Sequence, residues 1–195
     1  MEIRLLQEEE LKVASGLARY VFDTCVRERM EFEQTAAYIE EYLSWEHLLE
    51  MVQNGQLFLW GGFEDNEPVA VSAMEANGLI TMLYVLPHAQ GKKCGTKMLQ
   101  TMRDYAKEEL QLEDVTVNVT PVWREKYFRE RGFRYIQKPE NMHVPYVSMI
   151  APTQNKEEYP TKHVPGWVFL IIGGVILTVS TVLCVLSAVI YGLQL

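Results

Sequence analysis

Apolar side chains recur at steps of three and four early in the chain, and at steps of two or in unbroken runs beyond it. Leu11, Ala14, Leu17, Ala18, Val21, Phe22 and Cys25 fall on one face of a helix spanning about Glu8 to Arg29. Tyr38, Ile39, Tyr42, Leu49 and Val52 predict a second helix from Gln34 to Gln53, ended by Asn54-Gly55. Glu2 to Leu6 is a short strand ahead of both. Gln56–Phe63, Val69–Glu75 and Leu79–Leu86 read as three strands, divided by a turn at Glu64–Pro68 and a hairpin signal at Asn77-Gly78. The last of these (LITMLYVL) is apolar almost throughout, the pattern of a strand covered on both faces, and Pro87 stops it. A third helix opens between Gly91 and Gly95 with Met98, Leu99, Met102, Tyr105 and Ala106 inward. Val115, Val117 and Val119 alternate with polar residues over Asp114–Thr120. Trp123–Arg131 is a short helix closed by Gly132, and Phe133–Gln137 and Val144–Ile150 complete the sheet. This order predicts an α/β fold with helices covering a central sheet.

The periodicity stops at Ile150, which bounds a domain of residues 1–150. Ala151 to His163 is polar, holds two prolines and reads as a linker over 151–163. From Val168 to Leu193 there is no Asp, Glu, Lys, Arg, His, Asn or Gln, a run longer than the ~20 residues a spanning helix needs. A C-terminal transmembrane helix is therefore expected within 164–195, making the chain tail-anchored with a lipid bilayer as partner. Trp167 and Tyr191 stand near the ends of the run, where interfacial aromatics belong. Lys156, Lys162 and His163 precede it and no charge follows it, which places the N-terminal domain in the cytoplasm. Ser180, Cys184, Ala188 and Gly192 form a small-residue stripe suited to self-association through the helix.

The 18 Lys and Arg and 26 Asp and Glu residues all precede Val164, so the domain carries the whole formal charge of −8. That balance excludes a general nucleic-acid binder, whose footprint is a basic face. Cys25, Cys94 and Cys184 are too scattered for a disulfide framework, and neither they nor His47, His88, His143 and His163 show metal-ligand spacing, so no metal is expected.

The segment Leu83 to Thr96 (LYVLPHAQGKKCGT) carries the candidate chemistry. A buried strand enters a turn with two glycines and two lysines, and then a helix. Backbone N–H groups at such a helix N-terminus cradle an anion, and glycine allows close approach. The spacing is not that of a Walker loop.

In this order of motifs the chain resembles the GNAT superfamily of acyl-CoA-dependent N-acetyltransferases. The matching pieces are Val85-Leu86-Pro87, the turn Gln90-Gly91-Lys92-Lys93-Cys94-Gly95, the strand Val115–Val119, and Tyr127-Phe128-Arg129-Glu130-Arg131-Gly132-Phe133. The likeness covers roughly Glu2 to Ile150 and implies a mixed, mainly antiparallel sheet flanked by helices. It implies acetyl-CoA as co-substrate, with its pantetheine arm against Tyr84, Val85 and Leu86 like an added strand. The pyrophosphate would sit on the turn formed by Gln90, Gly91, Lys92, Lys93, Cys94, Gly95 and Thr96. The first motif glycine is Lys93 here. The resemblance implies Tyr127 as the acid that protonates the leaving thiolate, although family members commonly carry that tyrosine at the place Phe128 occupies. A family glutamate at the start of the central strand is absent, Leu79 standing there. Glu75 is the nearest carboxylate for the base, and ordered water is the alternative. The acceptor would be an amine, on a small molecule or a protein, attacking the thioester directly in a ternary complex. Departure at Lys93 and the missing glutamate keep a non-catalytic acyl-CoA-binding or membrane scaffold module as the alternative.

Overall fold

Alternating apolar residues in the middle of the chain build a mixed sheet. The computed structural model describes residues 1–154 apart from Glu31, Pro121 and Met142. Its strands are β1 (Glu2–Leu5), β2 (Leu57–Glu64), β3 (Glu67–Glu75), β4 (Leu79–Val85), β5 (Asp114–Val119), β6 (Arg134–Tyr135) and β7 (Val147–Pro152). Among the described residues they form one sheet in the order β1-β2-β3-β4-β5-β7-β6. Every neighbouring pair is antiparallel except β4 and β5, which run parallel. The expected mixed, mainly antiparallel sheet is thus present. Asp65 and Asn66, at φ 51° and 65°, form the two-residue turn between β2 and β3, the left-handed geometry that matches strand twist.

The helices are α1 (Leu11–Cys25), α2 (Glu33–Tyr42), α3 (Trp45–Gln53), α4 (Cys94–Glu108) and α5 (Glu125–Arg129). The single helix expected over Gln34–Gln53 is two. Ser44 is extended (ψ 139°), and its hydroxyl accepts the His47 N–H at 3.3 Å to cap α3. Leu43 turns inward at this corner, 1% exposed, and its carbonyl accepts the buried Ser15 hydroxyl of α1 at 2.6 Å. A cap and one buried leucine outweigh the helical continuity that the apolar spacing suggests.

Each face of the sheet has its own core. Helices α1–α3 pack on Leu57, Leu59, Val71, Ala73 and Met82. Helix α4 and Phe128 of α5 pack on the other face, against Trp60, Ala70, Met74, Ile80 and the inward residues of β5 and β7. Ile80 and Met82 are two residues apart yet lie on opposite faces. The register between β3 and β4 shifts at Ala73/Met74 and leaves Thr81 as the extra residue of a bulge, which inverts the facing of everything after it. Strand β4 is consequently only partly covered: Leu79, Thr81, Leu83, Tyr84 and Val85 are half-buried, because they border a cavity.

β7 runs two residues past the expected end at Ile150. Ala151 is buried opposite Val115, and the Thr153 hydroxyl donates to the carbonyls of Leu112 and Glu113, 3.0 Å each. The expected transmembrane helix and the linker beyond residue 154 lie outside the described residues. Among the described residues, no helix is long and apolar enough to cross a membrane.

Candidate active site

Strands β4 and β5 pair at only two positions, Leu79 with Thr116 and Ile80 with Val117. The ladder then ends beside the Thr81 bulge and the strands part. Leu86 N–H donates to Val69 of β3, and successive amides alternate across a strand, so the Val85 and Leu83 amides turn toward the gap. A cavity of about 1310 Å³ opens there, walled by β4, the end of β5, the turn before α4, and residues of α2 and α5.

One end of the cavity is the N-terminus of α4. Its cap residue, Lys93, makes no side-chain cap. The Lys97 N–H reaches back to the Lys93 carbonyl at 3.0 Å, leaving Cys94, Gly95 and Thr96 as the orphan donors of the first turn. Lys93 holds a left-handed backbone (φ 65°, ψ 12°), the conformation for which glycine is the usual residue. Gln90 fixes the turn to the strand by donating from Nε2 to the Val85 carbonyl at 2.9 Å. A Cβ on Gly95 would stand 2.8 Å from Tyr127 Oη and 3.7 Å from Val85 Cγ2, so Gly95 leaves the space that the phenol fills.

Tyr127 is clamped in that place. Arg131 stacks on its ring at 3.6 Å, donates from Nη1 to the Tyr127 carbonyl at 2.7 Å, and donates from Nε to the Thr96 hydroxyl at 3.0 Å. The Tyr127 hydroxyl is buried without a well-formed hydrogen bond. Burial raises its pKa, and the nearby Arg131, Thr96 and Arg124 offset part of that rise. Phe128 points instead into the core, edge-on to Phe133, with ring centroids 5.4 Å apart. The adjacent positions of α5 thus divide their work, one hydroxyl toward the cavity and one ring into the core.

The other end of the cavity lies by the bulge. Glu75 borders it and accepts from Asn77 Nδ2 at 3.1 Å. Tyr42, the last residue of α2, leans on this wall with its hydroxyl buried and unpartnered. Burial pushes its pKa up to about 12, the Thr81 side chain opposing and the Glu75 and Tyr38 charges adding slightly. Val85 stands five residues along β4 from Ile80, so the two ends are about 16 Å apart.

Of the residues expected at the cofactor, Tyr84, Val85, Gln90, Gly91, Lys93, Cys94, Gly95 and Thr96 border the cavity. Leu86 packs beneath the sheet among the α1–α3 contacts, and Lys92 faces Glu64 at 3.6 Å. Tyr127 and Glu75, expected to act together, are brought to opposite ends. Arg131 and Tyr42 are the site residues that sequence reasoning passed over. An arginine next to Gly132 carries no motif, and Tyr42 reads as one more apolar position on its helix.

An α/β domain with a parted strand edge leading from an uncapped helix N-terminus is built to take a long ligand with an anionic group. The family model of the acetyltransferase (GNAT) domain matches residues 23–151, and the chain belongs to that family. It is an acyl-CoA-dependent N-acetyltransferase, with acetyl-CoA as co-substrate. No curated protein matches its sequence significantly. Among solved structures it is similar to the PaiA N-acetyltransferase of Thermoplasma acidophilum in complex with coenzyme A, at 19% identity, TM-score 0.64, and 77% of this chain against 98% of that one. It is similar to a variant of the spermidine N-acetyltransferase SpeG of Vibrio cholerae, at 16% identity, TM-score 0.56, covering 81% and 100%. A GNAT-family acetyltransferase of Staphylococcus aureus aligns at 13% identity, TM-score 0.59, covering 78% and 99%. At these identities the likeness is one of fold.

Proposed function

We propose that this chain transfers the acetyl group of acetyl-CoA to a primary amine by direct attack in a ternary complex, from a position on the cytoplasmic face of a membrane. The reading rests above all on one observation: the β4–β5 ladder stops at Ile80–Val117 and leaves a free strand edge running to the uncapped α4 N-terminus. The residues present fit acetyl-CoA. The N–H groups of Cys94, Gly95 and Thr96, with the charges of Lys93 and Arg131, hold the pyrophosphate. The amides of Val85 and Leu83 hold the two amide groups of the pantetheine arm. That arm is as long as roughly four residues of strand, which brings the thioester alongside Thr81 and Met82. Acetyl-CoA supplies the activated carbonyl. The protein supplies amides on the parted strand to hold the oxygen as it gains charge, and a dry wall that strengthens them. Glu75 lies at this end and accepts the ammonium proton or orients the amine. Tyr127, at the Gly95 end, serves the phosphates.

The acceptor we propose is an amine bearing further positive charge. Glu75 presents a carboxylate and Tyr38 and Tyr42 present ring faces, 6.2 Å apart, at the acceptor end. The similarity in fold to a spermidine N-acetyltransferase supports the same chemistry. The apolar run 168–193 serves as the membrane anchor.

The test is calorimetric titration of acetyl-CoA into the protein, followed by thiol release with spermidine and with a neutral primary amine. We expect saturable binding and faster turnover with spermidine. We also expect Gly95→Val, whose side chain meets Tyr127, to weaken cofactor binding at least ~10-fold. Equal binding by Gly95→Val, or no preference for the cationic amine, overturns the corresponding half of the reading.

A further inference from the structure

We infer that Tyr42, at the corner between α2 and α3, is the catalytic residue that gives its proton to the departing coenzyme A thiolate. The inference rests on the reading of the cavity given above and adds a residue to it.

Among the described residues five phenols border the cavity, Tyr38, Tyr42, Tyr84, Tyr127 and Tyr146, of which Tyr38 and Tyr146 are exposed. Tyr84 packs among the α1–α3 contacts, as Tyr42 does, but stands three residues along β4 from Thr81, toward the α4 end of the cavity. The Tyr127 hydroxyl is committed to the far end, against Gly95 and under Arg131. At the position where the family motif has its tyrosine, Phe128 carries no hydroxyl and packs on Phe133. The acyl end is therefore without a phenol from α5. Tyr42 reaches the same end from the opposite side of the sheet.

The setting of Tyr42 suits that task. Its hydroxyl is buried without a well-formed hydrogen bond, beside the bulge residue Thr81 and in the field of Glu75. A buried hydroxyl without a well-formed bond is free to donate to a ligand atom that enters beside it, and of the two such phenols, Tyr42 and Tyr127, Tyr42 is the one at the Thr81 end. The phenol stays protonated across the working range, since burial holds its pKa near 12. The ring is held on both sides, by His47 at 4.9 Å and Tyr38 at 6.2 Å between centroids. The corner beneath it is fixed by the Ser15 bond to the Leu43 carbonyl and by the Ser44 cap.

The step balances within the ternary complex. The amine nitrogen forms a bond to the acetyl carbon as the carbon–sulfur bond breaks. The electron pair leaves on sulfur, which takes the Tyr42 proton. The proton shed by the acylated nitrogen restores the phenol.

Full-length protein carrying Tyr42→Phe tests the assignment with two readouts. With spermidine as acceptor, kcat should fall roughly 100-fold, the usual effect of one general acid, while acetyl-CoA affinity by calorimetry and the melting temperature stay at the parent values. Tyr127→Phe should weaken acetyl-CoA binding, the readout that Tyr42→Phe leaves at the parent value. The second readout needs no acceptor. A phenol that donates to the sulfur stabilises bound thiolate, so the thiol of bound coenzyme A, followed by its ultraviolet thiolate band, should ionise at higher pH in Tyr42→Phe than in the parent. Unchanged thiol ionisation overturns the role of Tyr42, whatever the amine. Altered ionisation with no turnover on spermidine supports Tyr42 and overturns only the proposed acceptor.

Discussion

Lys93 departs from its local rule by holding a left-handed backbone. A non-glycine side chain in the left-handed region costs about 1–2 kcal/mol, and here it does so at the cap of α4, the helix proposed above to receive the cofactor. The cradle is made by backbone N–H groups, so its shape does not need the lysine side chain; the cation adds attraction for phosphate. Lys93→Gly should therefore raise stability by about 0.5–1 kcal/mol, the strain relieved less the extra entropy of an unfolded glycine. Acetyl-CoA binding should weaken only a few-fold, the loss of one partly screened charge. Chemical denaturation and calorimetry on the two proteins check both halves, and a fall in stability would show that the lysine makes the turn rather than tolerating it. The turn that opens α4 was legible in the chain because glycine spacing after an apolar strand has a direct physical meaning. The division between Tyr127 and Phe128 was not. Adjacent helix residues point about 100° apart, and which one faces the cavity depends on how α5 is rolled against β5 and β7. Arg131, whose stacking decides where the Tyr127 hydroxyl goes, has no sequence signature.

At the scale of elements, strands were easier to read than the places where they stop being regular. The alternation in β5 and the turn residues of the β2–β3 hairpin carry their own geometry. The bulge at Thr81 and the corner at Leu43–Ser44 do not, because an apolar run looks the same with or without one extra residue, and helical spacing continues across the corner by coincidence. Both irregularities border the same end of the cavity: the bulge ends the ladder with β5, and the corner carries Tyr42. The corner is held by the Ser44 cap and by the Ser15 bond to the Leu43 carbonyl. Ser44→Ala should cost about 1 kcal/mol of global stability, the ordinary worth of such a cap. Because α3 begins there and Tyr42 ends the helix before it, kcat should fall with little change in acetyl-CoA affinity. Hydrogen exchange should locate the loss in residues 43–48 and spare the α4 turn. Exchange that rises equally in both places would show that the corner is not an independent support of the site.

For the whole molecule, the charge pattern suits the anchor proposed above. All charged residues lie before Val164, and the run 168–193 contains sixteen Leu, Ile, Val and Phe residues. At about 0.3–0.6 kcal/mol favourable for each of these and about 2.5–3.5 kcal/mol unfavourable for a central Lys, insertion of the parent run is favoured by several kcal/mol. Two lysines near its centre, Val179→Lys and Leu183→Lys, cancel that margin, and as like charges four residues apart they repel one another as well. In cells the parent chain should stay with membranes through an alkaline carbonate wash, and the double variant should appear in the soluble fraction. Acetyl-CoA affinity supplies the control. Among the described residues the cavity is lined by Val21 to Tyr146, so the released variant should bind acetyl-CoA as the parent does. Release with intact binding assigns the apolar run to location alone. Retention of the double variant on membranes would move the attachment to the acetyltransferase domain, whose exposed Val13 and Tyr20 on α1 would then be the first side chains to substitute.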